Sequence, residues 1–314
     1  MSRCTSMRPT RDGTSRAYAV AVRLEPSWRL CSLTIVLTTL SFGGIASAQS
    51  SPRQPPLLST EPPPSLWRDD WPQFRTREGV MTLAAGVATG LIVLYGPIER
   101  PRWQGGILFD DAIRDSVRAS NPSTRQSYRT VGDWTYHLSP LLPLVDAFVV
   151  STLGHHDKKL ALNLAAMTFE AYSYSGLASF VSTEISARAR PDSHCAAGGS
   201  CDTQSFFSGH TSIAATGAGL VCANHTRIAL YGNAYADAAA CVVATANALA
   251  TASTRVVADR HYATDVMTGF GLGFAVGYAV PVVLHYSSPS AGRRISFVPD
   301  PSCGPGCIGL RGTF

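Results

Sequence analysis

The sequence predicts an all-α protein built as a bundle of about six apolar helices. Three observations carry that prediction. Hydrophobic residues make up 45% of the 314 and charged residues only 15%, so the chain has much to bury and little to solvate. The apolar residues fall in blocks of helical length, separated by short stretches rich in Pro, Gly and polar residues. Little of the chain alternates with period two, as half-buried strands would.

The elements follow in order. Residues 30–48 read LCSLTIVLTTLSFGGIASA, an apolar stretch preceded by arginines and closed by Ala46-Ser47-Ala48. That is the pattern of a secretory signal with a small-residue cleavage site, so residues 1–48 are expected to be a leader. An uncleaved anchor helix is the competing reading. Residues 49–75 open with a Pro/Ser-rich run and are expected to be a linker. The catalytic domain is expected over 76–286. It starts with an apolar helix near Gly79–Tyr95. Residues 101–136 are mixed polar and read as loops and short helices. Further apolar segments run at about 138–153, 160–186, 210–222, 234–252 and 264–285. The first, the third (160–186) and the last are long enough to cross a bilayer, which needs ~20 apolar residues. Prolines at 289, 299, 301 and 305 break any continuation, leaving 287–314 as a tail.

Charge narrows the function. The net charge is +5, and the six leader arginines against Asp12 and Glu25 account for +4 of it. The remaining +1 offers no basic stripe, so nucleic acid is excluded as a partner. Beyond the leader the cysteines form three local pairs: Cys195 with Cys201, Cys222 with Cys241, and Cys303 with Cys307. An even count in short loops suits disulfides in an oxidising compartment. Cys222 and Cys241 lie in or beside apolar helices and are equally compatible with buried thiols. No set has zinc-ligand spacing, so no metal is expected. The chemistry is placed outside the cytoplasm, in the cell envelope.

Three short motifs stand where helices begin or end. They are Arg188-Ala189-Arg190-Pro191, Phe206-Phe207-Ser208-Gly209-His210, and Thr254-Arg255 followed by His261 and Asp265. Ser208-Gly209-His210 puts a hydroxyl, a residue without Cβ and an imidazole at a helix N-terminus, where free N–H groups favour an anion. Arg190 and Arg255 are forked donors suited to phosphate. His261 and Asp265, four apart, share a helix face, so the carboxylate is expected to hold one ring nitrogen while the other attacks. His210 is then the acid for the leaving oxygen. Each motif alone is weak: an Arg-Pro usually ends a helix, a Ser-Gly-His usually caps one, and His261 with Asp265 would pass for a surface pair.

Together the motifs resemble the type 2 phosphatidic acid phosphatase superfamily, which also contains vanadium haloperoxidases. Its pattern is K-x6-RP, then PSGH, then SR-x5-H-x3-D. Arg190-Pro191, Ser208-Gly209-His210 and Arg255-x5-His261-x3-Asp265 match it over roughly 159–286. The resemblance implies a helical bundle, a phosphohistidine on His261, His210 as acid, and Arg190, Ser208, Gly209 and Arg255 around the phosphate, without a cofactor. Phe207 and Thr254 are mild departures. Thr183 stands where the lysine is expected, and that removes one cation from the site. Arg188 is the closest other cation, and two residues from Arg190 it points off the same face unless the helix has already ended.

Several histidines read as structural. His155 and His156 with Asp157 read as a solvated connection, His225 as a cap or surface group, and His285 as a helix terminus. Asp192 and His194 lie by the small Cys195–Cys201 loop and read as loop solvation or substrate entry. The expected activity is hydrolysis of a phosphomonoester, lipid phosphate or diphosphate. A membrane association is expected with it. The alternatives are a vanadate-dependent haloperoxidase and a non-catalytic envelope protein binding a lipid head group.

Overall fold

The structure, a computed structural model, describes residues 65–193, 195, 199–287, 294–299 and 308–313. The leader, His194, Cys303 and Cys307 lie outside the described residues. Seven α-helices follow in order: α1 Thr76–Tyr95, α2 Asp110–Val117, α3 Pro122–Val145, α4 Lys158–Ser186, α5 Gly209–Arg227, α6 Ala234–Val257 and α7 Ala263–Leu284. The all-α prediction holds for the bundle. The expected tail adds a small antiparallel hairpin, β1 Arg294–Pro299 with β2 Ile308–Thr313, pairing Arg294 with Thr313.

Local chemistry starts and stops the helices. Asn121 caps α3 and Pro122 stands at its first turn, where a missing N–H removes nothing. The stretch expected as loops and short helices therefore holds the short α2 and, unexpectedly, more than half of a 24-residue helix. Pro140 and Pro143 inside α3 withdraw N–H donors, and the chain passes into a π-helical stretch, Asp146–Gly154. Asn233 caps α6 with bonds to two backbone N–H groups. Ala187 closes α4 in the left-handed region.

The central helix is α5, whose residues Ala214–His225 are all buried. It is wrapped by α3, α4, α6 and α7. Small residues allow this. A Cβ added at Gly269, Gly273 or Gly277 of α7 would lie 2.7, 2.1 and 2.1 Å from the carbonyls of Ser208, Ser212 and Thr216. Three glycines at i, i+4 and i+8 thus let α7 lie backbone-to-backbone on α5. Hydroxyls seam α4 to α5 through Ser175, Ser212 and Thr216. The Cys222–Cys241 disulfide ties α5 to α6, and Cys195–Cys201 closes the small loop after α4.

One expected boundary moves. Residues 65–75, placed in the linker, pack on the bundle: Trp67 and Trp71 enter a core with Leu160, Leu164, Met167 and Tyr286. Asp157 secures them by accepting from Ser65 and from the Leu66 N–H while capping α4. Two bulky indoles bury more apolar surface than a free linker allows.

Four helical stretches among the described residues are long and apolar enough to cross a membrane: 76–95, 122–154, 234–257 and 263–284. The expected third candidate, now α4, is not among them, because Asn163, Thr168, Glu170, Ser175 and Ser179 line its buried side. The apolar stretches expose broad faces, as with Val80, Leu83, Val87 and Leu91 on α1. Such continuous apolar surface is what a bilayer covers.

Candidate active site

The turn between α6 and α7 places His261. Arg260 and His261 both direct their N–H groups to the Arg255 carbonyl. Asp259 adopts a positive φ of 60°, which Asp tolerates, and two bonds from Arg114 at 2.6 and 3.0 Å hold it there. His261 is 3% exposed.

The ring is oriented differently from the expectation. His261 Nδ1 lies 2.8 Å from the Ser205 carbonyl and 3.8 Å from Asp265 Oδ2, too far for a hydrogen bond to the carboxylate. Asp265 acts one step removed: the Ser205 hydroxyl donates to its Oδ2 at 2.6 Å. The carboxylate is drawn away because it also accepts from the Tyr262 N–H at 2.9 Å and from Arg188 at 2.5 Å. Since a carbonyl only accepts, Nδ1 carries the proton and Nε2 carries the lone pair.

Arg188 is the centre of this support. It is fully buried and bonds Asp265, Asp110 at 2.8 Å, Thr264 and the Gly105 carbonyl. The rings of Trp103 and Tyr262 face its guanidinium at 3.9 and 4.0 Å. Because α4 has already ended at Ser186, helical spacing does not set the direction of Arg188; these partners do. Asp110 of α2 also binds the Thr264 N–H and hydroxyl, fixing the first turn of α7.

Beside His261 lies a cavity of about 260 Å³. Its walls are Tyr136 of α3, the α4 face Gly176, Ser179, Phe180 and Thr183, then Arg190, Gln204, Gly209, His210, Ile213 and His261. Thr183 is therefore where the motif places a cation, but its hydroxyl donates to the Phe180 carbonyl at 2.8 Å. Gly209 approaches Ser179 so closely that a Cβ would lie 3.0 Å from its Oγ. Ser208 is buried and accepts from Thr211 as the cap of α5, and it is not among the cavity walls.

Arg190 reaches the cavity from the loop after α4. Its Nε lies 2.9 Å from Asp202 Oδ1 as an ion pair, without hydrogen-bond alignment. Burial, reinforced by Arg260, lowers its pKa to about 10, so it remains a cation. Arg255 points at Asp133, with Nη2 2.5 Å from Oδ1. Asp133 also lies 3.5 Å from His210 Nε2. Gly132 lets α3 come this near, since a Cβ there would stand 2.6 Å from Thr254 Oγ1. His210 packs on Tyr136 with ring centroids 4.6 Å apart. Burial first, then Arg255 and His261, lower the His210 pKa to about 3. Burial likewise pushes His261 below its ordinary value, with Asp265 opposing and Arg190 adding. Both rings are neutral at pH 7 without a ligand.

Asp110, Arg114, Asp133, Tyr136 and Ser205 escaped the sequence reading. All but Ser205 come from α2 and α3, more than seventy residues from the motifs they meet, and no local pattern marks them. Ser205, three residues before Ser208, was close enough to the motif to have been weighed.

The other histidines are less exposed than expected. His225 is buried between Asp237 at 2.6 Å and Asp146 at 3.2 Å. His285 pairs with buried Glu170 at 2.7 Å, and His155 bonds the Leu230 carbonyl. His225 and His285 are buried, so their polar atoms must find partners within the protein.

His261 and His210 thus line one cavity with Arg190, and Arg255 stands behind His210 on Asp133, an arrangement with the donors to receive an anion. Residues 160–289 match the family model described as the PAP2 superfamily. Among solved structures, the crystal structure of the first transmembrane PAP2 type phosphatidylglycerolphosphate phosphatase from Bacillus subtilis is similar at 19% identity and a TM-score of 0.43. That likeness covers 65% of this chain and 92% of the other. A comparison with the curated proteins finds no match.

Proposed function

We propose that this protein is a metal-independent phosphatase of the PAP2 type, acting through a phosphohistidine on His261. The observation that carries the proposal is the hydrogen bond from Nδ1 to the Ser205 carbonyl, which leaves Nε2 as a nucleophile beside Arg190 and His210. In the first step Nε2 forms a bond to phosphorus, the ester P–O bond breaks, and His210 gives its proton to the departing alkoxide. In the second, His210 takes a proton from water, the water oxygen bonds phosphorus, and the P–N bond breaks to release phosphate. Arg190 and Arg255 hold the non-bridging oxygens, and Gly209 with the N-terminus of α5 supplies backbone N–H groups.

The finer assignments belong to the same proposal. The substrate is a lipid phosphate or diphosphate, a reading supported by the apolar outer faces of the bundle that carries the site. The leader directs export, the protein resides in the cell envelope membrane, and the site faces the oxidising side, in keeping with its disulfides. No cofactor is required, because the charge is supplied by arginines.

The test is phosphate release from phosphatidic acid and from a soluble aryl phosphate, with and without EDTA. Release that survives chelation, disappears in His261→Ala and leaves acid-labile phosphate trapped on the wild type is expected. Equal release by wild type and H261A would sink the mechanism. Peroxidase activity that requires vanadate and peroxide would move the site to the haloperoxidase branch.

A further inference from the structure

We propose that Arg129 of α3 is the third cation of the phosphate site, acting with Arg190 and Arg255 in the role that Thr183 leaves unfilled. The inference rests on the phosphatase reading and assigns a residue outside all three motifs.

Position is the first argument. Arg129, Asp133 and Tyr136 stand at i, i+4 and i+7 and so share one face of α3. Asp133 touches Arg255 and His210, and Tyr136 lines the cavity. Arg129 therefore sits one turn along the face that closes the site. Its partner confirms the side: Nη2 lies 2.6 Å from Asp192, two residues after Arg190.

Donor capacity is the second. Eight buried side-chain N or O atoms among the described residues lack a hydrogen-bond partner, and three are the Nε atoms of Arg129, Arg190 and Arg255. Two of these belong to the arginines already assigned to phosphate, and Arg129 shares their state. The other nearby arginines carry no buried nitrogen without a partner. Arg188 is enclosed by Asp110 and Asp265. Arg114 holds Asp259 and the Pro191 carbonyl. Arg260 has both terminal nitrogens on carboxylates, Nη1 with Asp192 and Nη2 with Asp202.

Chemistry is the third. A phosphoryl group in transfer spreads charge over three equatorial oxygens, and removing one donor from such a site costs about 10²–10³ in rate. At position 183 a hydroxyl bonded to its own helix supplies no charge.

The experiment uses the full chain in detergent, with Arg129→Ala, Thr183→Lys, the double variant R129A/T183K, and Asp192→Asn. Turnover of an aryl phosphate is measured together with orthovanadate affinity by calorimetry, which does not depend on turnover. R129A is expected to lower kcat/KM about 100-fold and to weaken vanadate by a similar factor. The double variant is expected to recover at least about tenfold of that loss, because a lysine at 183 restores the missing charge. D192N frees Arg129 and keeps vanadate affinity. R129A within about threefold of wild type in both measurements overturns the proposal. So does a double variant no better than R129A, or a D192N as damaged as R129A, since that pattern means the pair only holds the loop. H261A is assayed alongside: if it turns over like wild type the phosphatase reading fails, whereas vanadate affinity still judges Arg129.

Discussion

Gly273→Ala sets the register of the two catalytic helices against a well-matched control. A Cβ at 273 would stand 2.1 Å from the Ser212 carbonyl oxygen. An ordinary close C···O contact is about 3.3 Å, so α5 and α7 must part by about 1 Å. Neither side has a flexible end to yield, because the obstacle is helical backbone. Overpacking of this kind costs roughly 1–3 kcal/mol. His210 is carried by α5, and Asp265, which fixes His261 through Ser205, is carried by α7, so the shift enters the active site directly. A displacement of about 1 Å can cost on the order of 100-fold in rate. Gly271, two residues away, meets nothing within 4 Å. Alanine there removes only the entropic weakness of glycine and should stabilise by roughly 0.5–1 kcal/mol. Thermal inactivation midpoints and kcat/KM on an aryl phosphate report both effects. Should G273A match G271A in stability and rate, the close-packing argument is wrong.

Arg188→Met leaves Asp110 and Asp265 buried without their cation, at a cost of about 3–5 kcal/mol, and should lower the inactivation midpoint as well as kcat; an unchanged midpoint refutes the role given to Arg188. The pH profile follows from two lowered histidines. His261 stays unprotonated into the acid range, while His210 in the empty site holds its proton only towards pH 3, so kcat/KM should fall as pH rises from acid. Burial is the main cause for His210 and Arg255 the next, so Arg255→Gln should move the alkaline limb to higher pH even as it slows the enzyme; a fixed limb speaks against His210 as the acid. Ser205→Ala removes the hydroxyl that links Asp265 to the carbonyl holding His261; it should reduce kcat about tenfold or more with little change in KM, and an equal rise in KM would mean the loop has moved instead.

Bundle and motifs were legible because they are written locally. Apolar blocks mark α1 and α4 to α7, and Ser208 announces the start of α5 by capping chemistry. What was not legible depends on contacts distant in sequence. The i,i+4 spacing of His261 and Asp265 is compatible with a direct bond, and only the fold reveals that Arg188 and the Tyr262 N–H claim the carboxylate. Residues 101–136 look like loops because their polar side chains serve the site from α2 and α3. His225 and His285 look peripheral by their places at helix ends, yet buried carboxylates from other elements meet them. Trp67 and Trp71 were hidden behind a Pro-rich run whose composition dominates the window.

Asp133 has a consequence for product release. The Arg255 guanidinium is paired with a carboxylate that is half exposed and fixed to the neighbouring helix. Under the proposed mechanism, phosphate would arrive by exchanging with a tethered anion, and the same anion would compete for the arginine once the ester had been cleaved, trading affinity for turnover. Inorganic phosphate should inhibit Asp133→Asn more strongly than wild type, and weaker inhibition of the variant would show that the carboxylate assists binding instead.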